Sequence, residues 1–300
     1  MDRDSRTNPR VLVAGSTGYV GRYVVRELAG RGYRVRALTR SEERLGETGP
    51  FDSPAVRDVC HDVAVAEVTR PETLGDAFDG IELVVSSVGI SRQRDGLTFD
   101  QVDRQANENL IERAVEVGVR KFVYVSLWDP AAVADLEIVR AHENVVAALG
   151  ASPLEYTVVR PSGYFSDMGV LLDMARRGRS FVIGDGKNRM NPIHGEDVGR
   201  VCGDALTSSA REIGAGGPDV FTQREAAELA FEVVGREPRI TQLPVWLLNG
   251  VARTIRLLST QFGDLADFLI TAGQVDTVAP RVGRRHLRDY FEEHNGTASG

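Results

Sequence analysis

Cysteine, tryptophan and histidine are scarce in this 300-residue chain, which has two Cys, two Trp and five His. Cys60 and Cys202 stand far apart without metal-type spacing, so neither a disulfide framework nor a metal site is expected, and free thiols are the default. Long hydrophobic runs are also missing. No apolar stretch approaches the ~20 residues that span a bilayer. The opening MDRDSRTNPR lacks the apolar core of a secretory signal, so the expected location is the cytoplasm, where the sequon Asn295-Gly296-Thr297 is a chance match. A net charge of −7 argues against sequence-independent nucleic-acid binding. What remains is 42% hydrophobic residues over a length that fits one large α/β domain with an added lobe.

The organising stretch is VLVAGSTGYVGRYVVRELAGRGYRVRALTR, residues 11–40. An apolar strand runs into Gly15-Ser16-Thr17-Gly18-Tyr19-Val20-Gly21, an amphipathic helix follows, and a second apolar strand ends at Leu38. Strand, glycine turn, helix and strand in this order form a dinucleotide-binding unit. Gly15 permits the tight turn, Gly18 lets backbone approach a pyrophosphate, and Gly21 brings the helix close to the sheet. The helix amino end then binds the anion.

The end of the second strand selects the nucleotide. An Asp or Glu there accepts from a ribose 2′-hydroxyl, whereas this chain has Thr39 and Arg40, with Arg22 just after the last glycine. Guanidinium groups suit a 2′-phosphate, so NADP(H) is the expected cofactor. The alternatives are that both arginines are solvated surface charges, or that Glu42 or Glu43 reaches a ribose from the loop.

Further along, strands are expected within 56–68, over Ile81–Val88, Lys121–Ser126 and Tyr156–Val159, with helices near 71–78, 99–117 and 135–149 between them. This alternation implies a doubly wound parallel sheet, a Rossmann fold, with a smaller C-terminal substrate lobe. The expected nucleotide domain is 10–161 with 192–222, and the lobe is 162–191 with 223–291. Residues 1–9 and 292–300 read as mobile tails.

Ser86, Ser87, Val88 and Gly89, at the carboxyl end of a core strand, are expected to line the nicotinamide-ribose side, with Pro161 and Ser162 completing the cofactor set. Residues 90–98 read as a rim segment or an ordinary exposed loop. His194 is expected to fix the return loop 192–197. The apolar helix 244–258, with Trp246, Leu247 and Leu248 beside Arg253 and Arg256, packs inward or lies on a membrane surface.

GSTGYVG at 15–21, the arginine ending the second strand, KFVYVS at 121–126 and TVVRP at 157–161 together resemble the short-chain dehydrogenase/reductase superfamily, in its atypical NmrA-like branch. Within it the chain looks most like the divinyl chlorophyllide 8-vinyl reductase-type proteins: AEVTRPETL at 66–74, IVRAHE at 138–143, RPSGYFSDM at 160–168, IGDGKNRMNPI at 183–193, AGGPDVFT at 215–222 and GREPRITQLP at 235–244 follow that family's order. The resemblance spans about residues 10–250. The superfamily's usual Tyr and Lys pair falls on Ile138 and His142. The 8-vinyl reductase-type proteins also lack the Tyr but keep a Lys where this chain has His142.

The resemblance implies an NADPH-dependent reductase of small molecules that passes hydride to a conjugated alkene, enone or quinone-like acceptor, bulky and lipophilic. A homodimer would be usual for the superfamily. His142 either bonds the nicotinamide ribose or delivers a proton to the reduced substrate, or else satisfies a neighbour on its helix. Ser126, at a strand end, and Tyr164, after the last core strand, are the other candidate catalytic residues. A non-catalytic NADP(H)-binding regulator or assembly factor, and a redox-neutral isomerase or cyclase, are the alternatives.

Overall fold

The computed structural model describes residues 8–89, 100–258 and 260–296. The expected rim segment, residues 1–7 of the expected tail and Thr297 of the sequon lie outside them. In chain order the elements are β1 (Arg10–Ala14), α1 (Tyr19–Gly30), β2 (Arg34–Thr39), α2 (Glu43–Gly46), β3 (Asp62–Val65), β4 (Leu83–Ser86), α3 (Ala106–Glu116), β5 (Lys121–Val125), α4 (Glu137–Ala151) and β6 (Glu155–Pro161). Then come α5 (Phe165–Arg176), β7 (Ser180–Ile183), β8 (Arg189–Met190), α6 (Gly195–Ala205), β9 (Glu212–Ala215), β10 (Phe221–Thr222), α7 (Gln223–Val234), β11 (Ile240–Leu243), α8 (Val245–Leu258), α9 (Thr260–Ala272) and α10 (Leu287–His294).

Seven strands form the main sheet in the order β3-β2-β1-β4-β5-β6-β9. The pairs from β3 through β6 are parallel. Such strands are covered on both faces, so they read as continuous apolar runs: Val11, Leu12, Val13 and Ala14 of β1 are all fully buried. Helix α1 turns Val20, Val24, Val25 and Leu28 inward, at the spacing of one helical face. Phe78, Phe122, Tyr124, Leu110 and Leu149 fill the core on one side of the sheet.

The chain divides into two compact units. One holds the chain up to Ser126 with Ala141–Val159 and Val198–Ile213; the other holds Leu127–Arg140, Arg160–Asp197 and the chain from Gly214 onward. The expected boundaries differ, because residues 127–140, 160–161, 192–197 and 214–222 fall in the second unit. Side-chain packing accounts for this: a Cβ on Gly214 would meet the Trp128 ring at 2.5 Å and Pro280 at 2.7 Å, and the Asn191 amide donates to the Ala279 carbonyl and accepts from the Ala279 N–H. In this unit α5, α7 and α10 share a core of Phe165, Leu172, Phe231, Tyr290 and Phe291. Helix α10 corrects the expected tail at 292–300: it continues to His294, anchored by the fully buried Phe291.

Local chemistry sets the ends. Thr222 accepts from the Glu225 amide at 3.1 Å while Glu225 accepts from the Thr222 amide at 2.7 Å, a reciprocal box that starts α7, and Gly235 ends it at φ +72°. The helix expected at 71–78 is two separate 3₁₀ turns, Pro71–Thr73 and Asp76–Phe78, and the one expected from 99 begins as a wide π turn, Asp100–Gln105.

Candidate cofactor and active site

In the first unit the parallel strands end on a common edge, and β1 sits between β2 and β4 where the winding reverses. Such a switch point opens a crevice for ligand. Gly15 leaves β1 at φ +80°, and the Gly18 amide donates to its carbonyl at 2.9 Å, closing the turn before α1. A Cβ on Gly15 would lie 2.8 Å from Ser87 Oγ, and one on Gly21 only 2.0 Å from the Gly15 oxygen. Both glycines are therefore required by the chain's own packing. Gly18 is not: its Cβ would meet a single protein atom, the Gly15 oxygen, at 3.3 Å. The bare backbone at the positive end of α1 fits a pyrophosphate.

Around this cradle the side chains divide. Ser16 is buried and donates to the Leu38 carbonyl at 2.8 Å, tying the turn to β2. Tyr19 packs edge-on against Tyr23 and Phe51, and Val20 is buried. Thr17 offers its carbonyl to Arg22 Nε at 3.1 Å. Arg22 corrects the expectation of a phosphate ligand. It is 2% exposed and also donates to the carbonyls of Arg44, Glu47 and Pro54, a buried strut under the 44–54 segment. Burial lowers its pKa from the ordinary arginine value. Arg40 is half-exposed at the end of β2 and faces the Glu67 carboxylate at 3.6 Å. No carboxylate occupies position 39 or 40.

At the end of β4, Ser86 is fully buried and donates to Asn107 Oδ1 at 2.6 Å, while Asn107 Nδ2 donates to the Val88 carbonyl at 3.1 Å. The Ser86 hydroxyl thus staples the strand end to α3, in place of its expected cofactor contact. Ser87 is half-buried with Oγ 3.3 Å from the Ala14 carbonyl, beside the glycine turn, and Gly89 is exposed.

Ser126 follows β5, its amide donating to the Val159 carbonyl at 2.8 Å. Two residues back on the same strand face, Tyr124 is fully buried and its hydroxyl lies 2.7 Å from His142 Nδ1. The other ring nitrogen, Nε2, lies 3.3 Å from Asp103 Oδ1. Asp103 faces Nε2 and the Tyr124 hydroxyl faces Nδ1, so both nitrogens serve internal partners. The neighbours that face the His142 ring come from β5 and the π turn, not from α4. The sequence reading missed Tyr124, Asp103, Asn107 and Glu67. The alternation Tyr124–Ser126 and the helical spacing Asp103–Asn107 were the available signals.

Pro161, Ser162, Tyr164 and His194 belong to the second unit. The Pro161 carbonyl accepts the Trp128 amide, and Ser162 donates its hydroxyl to the Asn191 carbonyl at 2.6 Å. Tyr164 caps α5 and bridges to Ile193. His194 accepts the Glu196 amide at 3.2 Å and packs against Phe165 and Tyr290. Burial first, then the Arg285 charge, push its pKa down to about 4, so the ring is neutral. Burial likewise pushes the Cys60 thiol up to about 11 and the Cys202 thiol up to about 12, which leaves neither a ready nucleophile.

Fold and cradle together define a dinucleotide-binding α/β protein. The model of the NAD(P)H-binding family matches residues 15–209, and the chain belongs to that family. The chloroplastic divinyl chlorophyllide a 8-vinyl-reductase of Zea mays is 29% identical over 315 residues, covering 94% of this chain and 78% of that protein. The photosystem II assembly factor Ycf39 of Synechocystis is 27% identical over 246 residues, covering 80% and 72%. The crystal structure of an NADPH-dependent quinone oxidoreductase from Escherichia coli, complexed with NADPH, shares the fold at TM-score 0.75 and 16% identity, over 94% of this chain and 99% of that one. The likeness to 8-vinyl reductase-type proteins read from the motifs is thus borne out.

Proposed function

We propose that this protein is an NADPH-dependent reductase acting on a conjugated alkene, enone or quinone-like acceptor that is bulky and lipophilic. The observation that carries the reading is the nucleotide cradle at the switch point, with Arg40 rather than a carboxylate directly after β2. Residues Gly15–Gly21 hold the pyrophosphate, Arg40 takes the 2′-phosphate, and Ser87–Gly89 border the nicotinamide ribose. NADPH, when bound, supplies a hydride. Ser126 offers its hydroxyl to a substrate oxygen, and water returns the proton. His142 contributes by holding Tyr124 and Asp103 beneath the strand end. The relatives support the reading: proteins similar to this chain are named vinyl reductase and quinone oxidoreductase.

Titration calorimetry with NADPH, NADP+, NADH and NAD+ tests the cofactor half. Wild type is expected to prefer the phosphorylated pair by at least about tenfold, and Arg40→Ala to lose that preference through one charge-assisted contact. NADPH oxidation with vinyl porphyrinoids, enones and quinones tests the other half. Binding without turnover of any acceptor would favour a second reading, a cofactor-binding assembly factor. The absence of the Tyr–Lys pair and the likeness to Ycf39 support that alternative.

A further inference from the structure

Helix α8 is apolar on two opposite sides. Leu248, Ala252 and Ile255, at helical spacing, form its inner stripe, with Ala252 only 2% exposed. The neighbouring α9 approaches so closely that a Cβ on its Gly263 would sit 2.6 Å from Arg256 Cβ. On the outer side Trp246 is 75% exposed, Leu257 87%, Val251 50% and Leu247 43%. Other large exposed apolar residues, such as Val65, Val170 and Phe181, belong to separate elements and need no partner.

The charge carried by α8 itself is one-sided. Residues 238–263 contain Arg239, Arg253 and Arg256 and no Asp or Glu, in a chain with 43 acidic residues among 300. Arg256 is paired with Asp267 across the helical hairpin. Arg253 is exposed and shares the helical stripe of Trp246 and Leu257. Indole at the headgroup boundary, aliphatic side chains in the acyl region and guanidinium toward lipid phosphate are the requirements of an interfacial helix. A second copy of the chain would use the apolar residues but would leave the lack of carboxylates within α8 without a purpose. No described helix is long and apolar enough to cross a membrane, so the contact lies in the membrane plane. We infer that the outer face of α8 docks on an anionic lipid surface, an inference that does not depend on the proposed reaction.

The test is co-sedimentation of the whole chain with phosphatidylcholine vesicles made with and without phosphatidylglycerol. Binding is expected to the anionic vesicles, to weaken with salt and to be slight on neutral ones. The chain has two tryptophans, so in Trp128→Phe the emission of Trp246 alone should shift to the blue on adding anionic vesicles. Paired Trp246→Ser and Leu257→Ser substitutions, and separately Arg253→Glu, should each lower partitioning about tenfold. Val65→Ser should not, and unchanged NADPH binding and melting temperature identify variants that remain folded. Absence of binding to anionic vesicles, or equal binding by the folded variants, overturns the inference. So does a lipid-independent dimer in ultracentrifugation that the paired substitutions abolish.

Discussion

Gly18 and Gly21 lack a side chain for different reasons, and alanine tells them apart. A methyl at Gly21 would occupy space 2.0 Å from the Gly15 carbonyl, and backbone has nowhere to retreat. Gly21→Ala is expected to cost more than about 3 kcal/mol, read as a lowered denaturation midpoint. Gly18 has ordinary extended dihedrals (φ −79°, ψ 169°), and a methyl there would press on a single atom, the Gly15 oxygen at 3.3 Å, which needs to yield by only a few tenths of an ångström. Gly18→Ala should stay within about 1 kcal/mol of wild type and yet bind NADPH at least about tenfold more weakly by calorimetry, because the methyl would stand where the pyrophosphate approaches the backbone. The three glycine positions were legible in the sequence because strand, turn and helix are local. The His142 network was not, since Tyr124, Asp103 and His142 come from three elements and only folding brings their polar atoms together.

Among the elements, the α2 segment is held from outside itself. Helix α2 is four residues long, too short to persist alone, and Arg22 of α1 reaches into it to donate to the carbonyls of Arg44, Glu47 and Pro54. Gly49 lies against the same guanidinium, where a Cβ would be 2.1 Å from Nε. Arg22→Met keeps much of the volume and loses the donors. It is expected to cost about 2–4 kcal/mol and to raise hydrogen exchange across residues 43–56 at least about tenfold. Protection unchanged there would show that the segment holds itself. The sequence could not reveal this role: the acceptors are backbone carbonyls, which every residue carries, so nothing in the letters at 44, 47 or 54 marks them. The capping box of α7 was written in the chain, Thr222 three residues before Glu225, because its partners are one turn apart.

For the molecule as a whole, acid should reveal the neutral core histidine. His194 has its pKa depressed from 6.5 to about 4, so the unfolded chain binds a proton that the folded one refuses between those values. Its contribution is complete above about pH 6.5 and is lost as the pH falls toward 4, up to about 3 kcal/mol. His286 works in the opposite sense, raised by Asp219 at 2.8 Å, but its exposure to solvent keeps that effect slight. Urea unfolding at pH 7.5 and 4.5 should therefore show a steeper loss for wild type than for His194→Gln. Equal losses would remove His194 as the cause.

The sequence by itself determined the parallel doubly wound sheet, the glycine cradle and the family likeness, because apolar periodicity and a contiguous motif act over a few residues at a time. Only the tertiary structure decided that Arg22 is a strut, that His142 is occupied on both sides, and that α8 turns a second apolar face outward. Each depends on which distant carbonyl, hydroxyl or helix comes within contact distance, and spacing along a chain does not encode that.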